Sequence, residues 1–143
     1  MSTVAQILRS KPDRTVHTIA PTATVYDALR FMAEKNIGGL VVAEGGKIAG
    51  LVTERDYARK VVLLAKSSKE IPVSEIMTAQ VKCVSPERTS EECLAIMTEN
   101  RFRHLPVLEQ GKLVGLVSIG DLVKDVISEQ KFRIEQLEHY IAG

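Results

Sequence analysis

The chain has 143 residues, of which 45% are apolar and 26% charged, a balance that supports one globular module with its own core and excludes a disordered chain. Nineteen Lys and Arg against eighteen Asp and Glu leave a formal charge of +1, and three Phe, three Tyr and no Trp supply little stacking surface, so nucleic acid is excluded as an expected partner. No apolar run approaches the roughly 18 residues of a membrane span, and the first residues lack the charged-then-apolar profile of a signal peptide, so the expectation is a cytoplasmic protein with no membrane partner.

In chain order, Val4-x-x-Ile7-Leu8 after Ser2-Thr3 predicts a short lead-in helix that docks on a sheet. Val16-His17-Thr18-Ile19 alternates at the strand period and stops at Pro21, which cannot continue a ladder. Thr24 offers an N-cap hydroxyl, and Val25, Ala28, Leu29 and Met32 share one helical face until Asn36 and Gly38 end the helix. Leu40–Ala43 and Ile48–Val52 flank Glu44-Gly45-Gly46-Lys47, a hairpin signal because tight turns need the positive φ that glycine supplies. Thr53 caps a second helix running to about Ala65, with Tyr57, Ala58, Val61, Leu64 and Ala65 as its apolar stripe. Lys66–Glu70 is a polar linker, and Val73-Ser74-Glu75-Ile76-Met77-Thr78 repeats the lead-in pattern.

Shifting the sequence by 65 positions aligns Val16–Val62 with Val81–Ile127 without a gap, and about a third of the pairs are identical, among them Pro21/Pro86, Thr24/Thr89, Gly50/Gly115 and Asp56/Asp121. An internal duplication of a β-α-β-β-α unit follows. The second copy places its elements at Val81–Val84, Thr89–Asn100, Leu105–Leu108, Leu113–Val117 and Ser118–Ile127. The expected organisation is one module over residues 1–143, with a first repeat at 14–65, a linker and lead-in helix at 66–78, a second repeat at 79–127 and a C-terminal helix at 128–143. That last helix puts Ile134, Leu137 and Ile141 on one face, which suits either a satellite packing helix or a partner-binding one.

Cys83 and Cys93 stand in different predicted elements with no Cys-x-x-Cys spacing, and both are expected to be core thiols with no metal. There is no Gly-x-Ser-x-Gly, no Walker loop and no dinucleotide fingerprint, and none of the three His falls in triad or metal spacing, so no catalytic activity is expected. Two segments carry chemistry instead: Gly50-Leu51-Val52-Thr53-Glu54-Arg55-Asp56 and Gly115-Leu116-Val117-Ser118-Ile119-Gly120-Asp121, each running a strand into a helix. Thr53 with Asp56, and Ser118 with Asp121, have capping-box spacing, which by itself favours a structural role, so a functional one needs more than the spacing. Arg55 places a cation where the helix dipole disfavours it; a bound anion there would offset the conflict, and so would a neighbouring acid. Asn100-Arg101-Phe102-Arg103-His104 is the densest basic stretch, either a solvated loop or a set of phosphate donors.

The duplicated unit, both Gly-Leu-Val-Thr/Ser-x-x-Asp segments, Ser74-Glu75-Ile76-Met77-Thr78 and Arg103-His104-Leu105-Pro106-Val107 together resemble the CBS-domain family. Thr53-Glu54-Arg55-Asp56-Tyr57 and Ser67-Ser68-Lys69 are similar to segments of its stand-alone paired members. The resemblance implies an α/β fold: a tandem pair of β-α-β-β-α CBS units packed with pseudo-twofold symmetry, holding an adenosine group in two clefts. It implies that Asp56 and Asp121, assisted by Thr53 and Ser118, accept the ribose hydroxyls. Adenine is then expected against Val81, Lys82 and Cys83 at one site and Val16, His17 and Thr18 at the other, with Gly120 in the second anchoring segment. Arg103 and His104, with Arg55, are the implied phosphate donors; their counterparts Gly38 and Gly39 carry no charge, so the two sites are expected to be unequal. The ligand implied is AMP or NAD(H), with ADP, ATP or S-adenosylmethionine as further candidates, and its binding would act on a regulated protein partner. A homodimer is expected through the second helices, by Val61, Val62, Leu63 and Leu64 and by Leu122, Val123, Val126 and Ile127. The alternative is a ligand-free dimeric scaffold or protein-interaction domain.

Overall fold

Thr3, Thr24, Thr53 and Thr89 each stand in extended backbone ahead of a helix, and each side chain accepts an N–H from the first turn. These caps set the frame of a computed structural model that describes residues 2–142. In order the elements are α1 (Val4–Ser10), β1 (Thr18–Ile19), α2 (Val25–Lys35), β2 (Gly39–Glu44), β3 (Lys47–Thr53), α3 (Glu54–Tyr57) running on as a π-helical turn (Ala58–Val62), a 3₁₀ turn (Val73–Glu75), α4 (Ser90–Asn100), β4 (His104–Glu109), β5 (Lys112–Ser118) and α5 (Ile119–Ala142). Contacts divide them into two units, one from Val16 to Lys82, the other joining the residues up to Thr15 with those from Cys83 onward.

In the first unit β1 lies parallel to β2 and β2 pairs antiparallel with β3. Gly45 and Gly46 turn the hairpin at φ of 59° and 80°, the positive values that match the twist of paired strands. Val25, Ala28 and Met32 of α2 pack on Leu40, Val42 and Val52 of the sheet, and Val61, Ile71, Val73 and Ile76 close the core. The second helix of this repeat does not run to Ala65 as a regular helix. It loosens into the π-helical turn and ends with Ala65 in the left-handed region at φ 55°, where Ala65 N–H bonds Val62 O and Lys66 N–H bonds Val61 O.

In the other unit β4 and β5 form the hairpin, and Val84, Cys93, Met97, Leu105, Val107, Val117 and Leu122 make the core together with Val4 and Ile7 of α1. The strand expected at Val81–Val84 is reduced to one parallel bridge, Val84 to Val107. Its partner position is the cause: Pro106 stands where the first repeat has Val41, and its ring nitrogen has no proton for an earlier residue of the strand. Cys83, just ahead of that bridge, is exposed and so is not a core thiol; Cys93 is buried, and burial pushes its thiol pKa up. The expected boundary at 128 is also absent, because α5 is one continuous helix of 24 residues. Ser128, Glu129, Gln130 and Lys131 all continue a helix readily, whereas the first repeat has its left-handed Ala65 at the position of Gln130.

Both lead-in segments dock on a sheet, but not on that of the repeat they precede. Residues 73–78 belong to the first unit, where Leu51 and Thr78 exchange backbone hydrogen bonds of 3.0 and 2.8 Å beside Gly50. α1 belongs to the other unit, where Leu8 lies over Gly115. A Cβ at Gly50 would meet the backbone oxygen of Thr78 at 2.6 Å, so that crossing requires glycine, whereas one at Gly115 would meet Leu8 Cδ1 at 2.6 Å, the end of a side chain that can shift. Among the described residues no helix is long and apolar enough to cross a membrane, and no group of three or more His, Cys, Asp and Glu is placed to hold a metal.

Candidate functional site

The two strand-to-helix segments adopt the same geometry in their separate units. Thr53 donates its N–H and its hydroxyl to Asp56 Oδ2, at 3.0 and 3.1 Å, while Asp56 N–H donates to Thr53 Oγ1 at 3.1 Å. Ser118 N–H donates to Asp121 Oδ2 at 2.9 Å, and Asp121 N–H to Ser118 Oγ at 3.1 Å. Both are reciprocal caps, which hold the carboxylate at the start of its helix in a fixed orientation. The first residue of each helix is tied to the residue before the preceding hairpin: Glu54 N–H to Gly38 O, and Ile119 N–H to Arg103 O. Gly39 stands opposite Thr53, and His104 opposite Ser118. The fold thus brings Gly38, Gly39, Thr53 and Asp56 together in one unit and Arg103, His104, Ser118 and Asp121 together in the other.

Each aspartate also carries a lysine that reasoning from the sequence did not single out. Lys60 Nζ lies 3.3 Å from Asp56 Oδ1 and donates to Ile76 O at 2.9 Å. Lys11 Nζ lies 3.1 Å from Asp121 Oδ2 and donates to Leu116 O at 3.0 Å. Lys60 was legible as the fourth residue after Asp56, a spacing at which helical side chains meet. Lys11 was not, since it arrives from a segment 110 positions away.

The repeats diverge at the next position. Where the first has Lys60, the second has Asp125, whose Oδ2 is buried and finds no hydrogen-bond partner among the described residues. The helix start at Asp56 therefore carries Arg55 and Lys60, while that at Asp121 carries Gly120, a second carboxylate and the one ammonium of Lys11. Acceptor capacity runs the other way. An ionised carboxylate offers about four lone-pair sites; Asp56 spends two of them on Thr53 and faces Lys60 with the other oxygen, whereas Asp121 Oδ1 is uncommitted among the described residues.

Arg55 is exposed and forms no ion pair among the described residues, so the neighbouring acid that would have explained it is absent. Arg103 is also exposed, and His104 is half-buried. Gly38 is half-buried, and a Cβ there would sit 3.2 Å from Glu54 Oε1. Val16 and Thr18 lie at the start of the first unit with His17, whose ring meets the edge of Phe31 at 5.4 Å between centroids. Val81 and Lys82 close that unit, and Cys83 opens the second stretch of the other.

A duplicated α/β unit with a hydroxyl–carboxylate cap at the same point of each copy defines a tandem-repeat module. Residues 4–63 and 73–128 match the family model of the CBS domain, and the chain belongs to that family. It is 38% identical over 150 residues to the mitochondrial CBS domain-containing protein CBSX3 of Arabidopsis thaliana, covering 99% of this chain and 73% of that protein. It is 31% identical to the CBS domain-containing protein YhcV of Bacillus subtilis, covering 80% of this chain and 81% of that one. Among solved structures, a candidate signal-transduction protein with CBS domains from Burkholderia ambifaria superposes with a TM-score of 0.87 at 61% identity, over 90% of this chain and 96% of that one.

Proposed function

We propose that this protein is a regulatory module that binds an adenosine nucleotide, AMP or NAD(H) foremost, and passes the occupancy of its sites to a protein partner. The observation that carries the reading is the repeated cap: two carboxylates, each held by a neighbouring Thr or Ser and each left partly exposed at 13% for Asp56 and 23% for Asp121. A fixed, ionised, acceptor-only group suits a cis-diol, whose two hydroxyls both need acceptors. Arg55 and Lys60 beside Asp56 favour a phosphorylated ligand there, while Asp125 beside Asp121 disfavours one. Binding shifts a regulatory equilibrium only through a difference in affinity between two states, so the partner must read one of them.

One observation favours the scaffold alternative: each aspartate already has partners in its own unit, so neither needs a ligand to be satisfied. Mass spectrometry of small molecules released from gently purified protein separates the two readings. Recovery of an adenosine nucleotide supports sensing, and its absence together with no calorimetric binding of AMP, ATP or NAD supports the scaffold. A 2′-phosphate sets anion against carboxylate, so NAD is expected to bind much more tightly than NADP; equal affinities would remove the carboxylate–diol argument.

A further inference from the structure

The two anchoring carboxylates differ in how much of each is already taken. Oδ2 of Asp56 accepts both the N–H and the hydroxyl of Thr53, at 3.0 and 3.1 Å, which fills its two lone pairs. Any further donor must use Oδ1, and Lys60 Nζ stands against that oxygen at 3.3 Å. At Asp121 the Ser118 hydroxyl makes no such bond among the described residues. Lys11 Nζ takes its place on Oδ2 at 3.1 Å, beside the Ser118 N–H at 2.9 Å. Both lone pairs of Asp121 Oδ1 are then uncommitted among the described residues. A cis-diol donates two hydrogen bonds. It fits on Asp121 with Lys11 still in place, but on Asp56 it finds one open lone pair and an ammonium over the other.

Lys60 is fastened at a second point. It donates to Ile76 O at 2.9 Å, inside the lead-in segment 73–78. That segment is held to its own unit by hydrogen bonds from Val73 N–H to Ala23 O, Ser74 N–H to Pro21 O and Thr78 N–H to Leu51 O. Four residues beyond it, at Lys82, the chain leaves the unit. Lys60 thus bridges the aspartate to the last docked segment before that exit. Lys11, directly after α1, ties its own lead-in helix to Asp121 in the same way, but through the oxygen that a diol does not need.

We infer that Lys60 is a displaceable clamp: a nucleoside whose cis-diol engages Asp56 turns the Lys60 ammonium off Oδ1 and so loosens residues 73–78, whereas engagement of Asp121 leaves Lys11 and α1 as they are. Once the carboxylate stops holding it, the flexible lysine stem regains its rotamers. Its bond to Ile76 O, made by a side chain 44% exposed, then competes with water. Asp56 is the responsive anchor and Asp121 the static one. This rests on the adenosine reading proposed above, and adds which anchor changes the chain on binding and where.

Hydrogen exchange and calorimetry on the full chain test it, with adenosine as the probe so that no phosphate meets the released ammonium. Saturating adenosine is expected to speed exchange at the Met77 and Thr78 amides about two- to fivefold, the worth of a half-exposed ion pair, and to leave the α1 amides unchanged. Lys60→Met keeps the stem and drops the charge; its free chain is expected to show the faster exchange already, with adenosine adding nothing. In an Asp121→Asn background, which leaves Asp56 as the intact anchor, Lys60→Met should bind adenosine about two- to fivefold more tightly, because no cation has to move. Lys60→Arg keeps a cation and should restore both the slower exchange and the weaker binding. The wild-type exchange comparison needs no variant, so it decides the matter even if Lys60→Met melts early. A lysine that only braces the fold would give faster exchange in Lys60→Met, but no response of Met77 and Thr78 to adenosine and no gain in affinity, which would overturn the clamp. Equal loosening of α1 would overturn the distinction between the anchors. A wild-type chain that binds neither adenosine nor AMP would sink the adenosine reading and the clamp together, whereas binding without the exchange response sinks the clamp alone.

Discussion

Asp56→Asn separates the two jobs that the aspartate is asked to do. An asparagine keeps one side-chain oxygen able to accept the Thr53 N–H bond now made at 3.0 Å, so the helix start should survive. What goes is the charge, the second acceptor oxygen and the pairing with Lys60. That pair is worth about 1 kcal/mol or less, because Lys60 is nearly half exposed. The stability loss should therefore stay within about 1–1.5 kcal/mol. A charge-assisted hydrogen bond to a ribose hydroxyl contributes about 1.5–3 kcal/mol, so AMP affinity should fall by roughly one to two orders of magnitude. Asp56→Ala should weaken AMP at least as much, but also orphans the Thr53 N–H at a further cost of about 1 kcal/mol. Calorimetric titration of AMP and adenosine, with thermal melts recorded on the same samples, reads binding and folding apart. Asp121→Asn should chiefly remove a second, weaker event, since Asp125 beside it opposes a phosphate. Unchanged AMP affinity in Asp56→Asn with the fold intact would refute the ribose role; loss of the tighter event in Asp121→Asn alone would reverse the assignment of the sites.

Arg103→Ala should weaken AMP far more than adenosine, since only the former carries a phosphate, and equal losses in the same titrations would return Arg103 to the solvent. Gly50→Ala should destabilise by about 2–3 kcal/mol in chemical denaturation, because the new methyl would press on a backbone oxygen and strain the two hydrogen bonds between Leu51 and Thr78. Gly115→Ala should cost less, as it meets only the flexible end of Leu8, and Leu8→Ala should recover part of the loss. Ala65→Gly should stabilise by about 0.5–1 kcal/mol, since the left-handed penalty it relieves exceeds the backbone entropy that glycine adds. Hydrogen bonds from Arg88 and from the Thr89 cap hold the Glu92 carboxyl below the usual glutamate range. Its contribution to stability is thus present above that range and lost as pH falls through the depressed value, so Glu92→Gln should flatten the acid limb of a stability–pH profile.

The duplication, the hairpins and the caps were legible because they are written in contacts within a few residues: Thr24 with Asp27, Gly45 with Gly46, Thr53 with Asp56. Asn36 ends α2 in the left-handed conformation, as its residue type suggested. The lost strand ahead of Val84 was written there too, in Pro106, but its meaning depended on knowing that the strand would have to pair in parallel with that residue. Pattern reading failed where an element's identity turns on what it touches. α5 has the same start as its counterpart in the first repeat, and nothing before residue 128 announces that it will pass the point where the earlier helix turns back at Ala65.

Both repeats keep a carboxylate at the helix start and bring an ammonium to it, but the first draws Lys60 from its own helix and the second draws Lys11 from the other end of the chain. Where the first repeat has Lys60 the second has Asp125, so Lys11, at the end of α1, is the one ammonium paired with Asp121 among the described residues, and that site is the more acidic of the two. The aligned repeat shows the exchange of Lys60 for Asp125 but hides what accompanies it: the two aspartates match, while the ammonium at the second comes from the end of α1, a segment that the alignment never compares. The unequal sites proposed here rest on that difference. Lys60→Asp, which copies the second repeat's charge into the first, should lower AMP affinity at the Asp56 site more than adenosine affinity, and equal losses for the two ligands would show that the flanking charge does not select the phosphate.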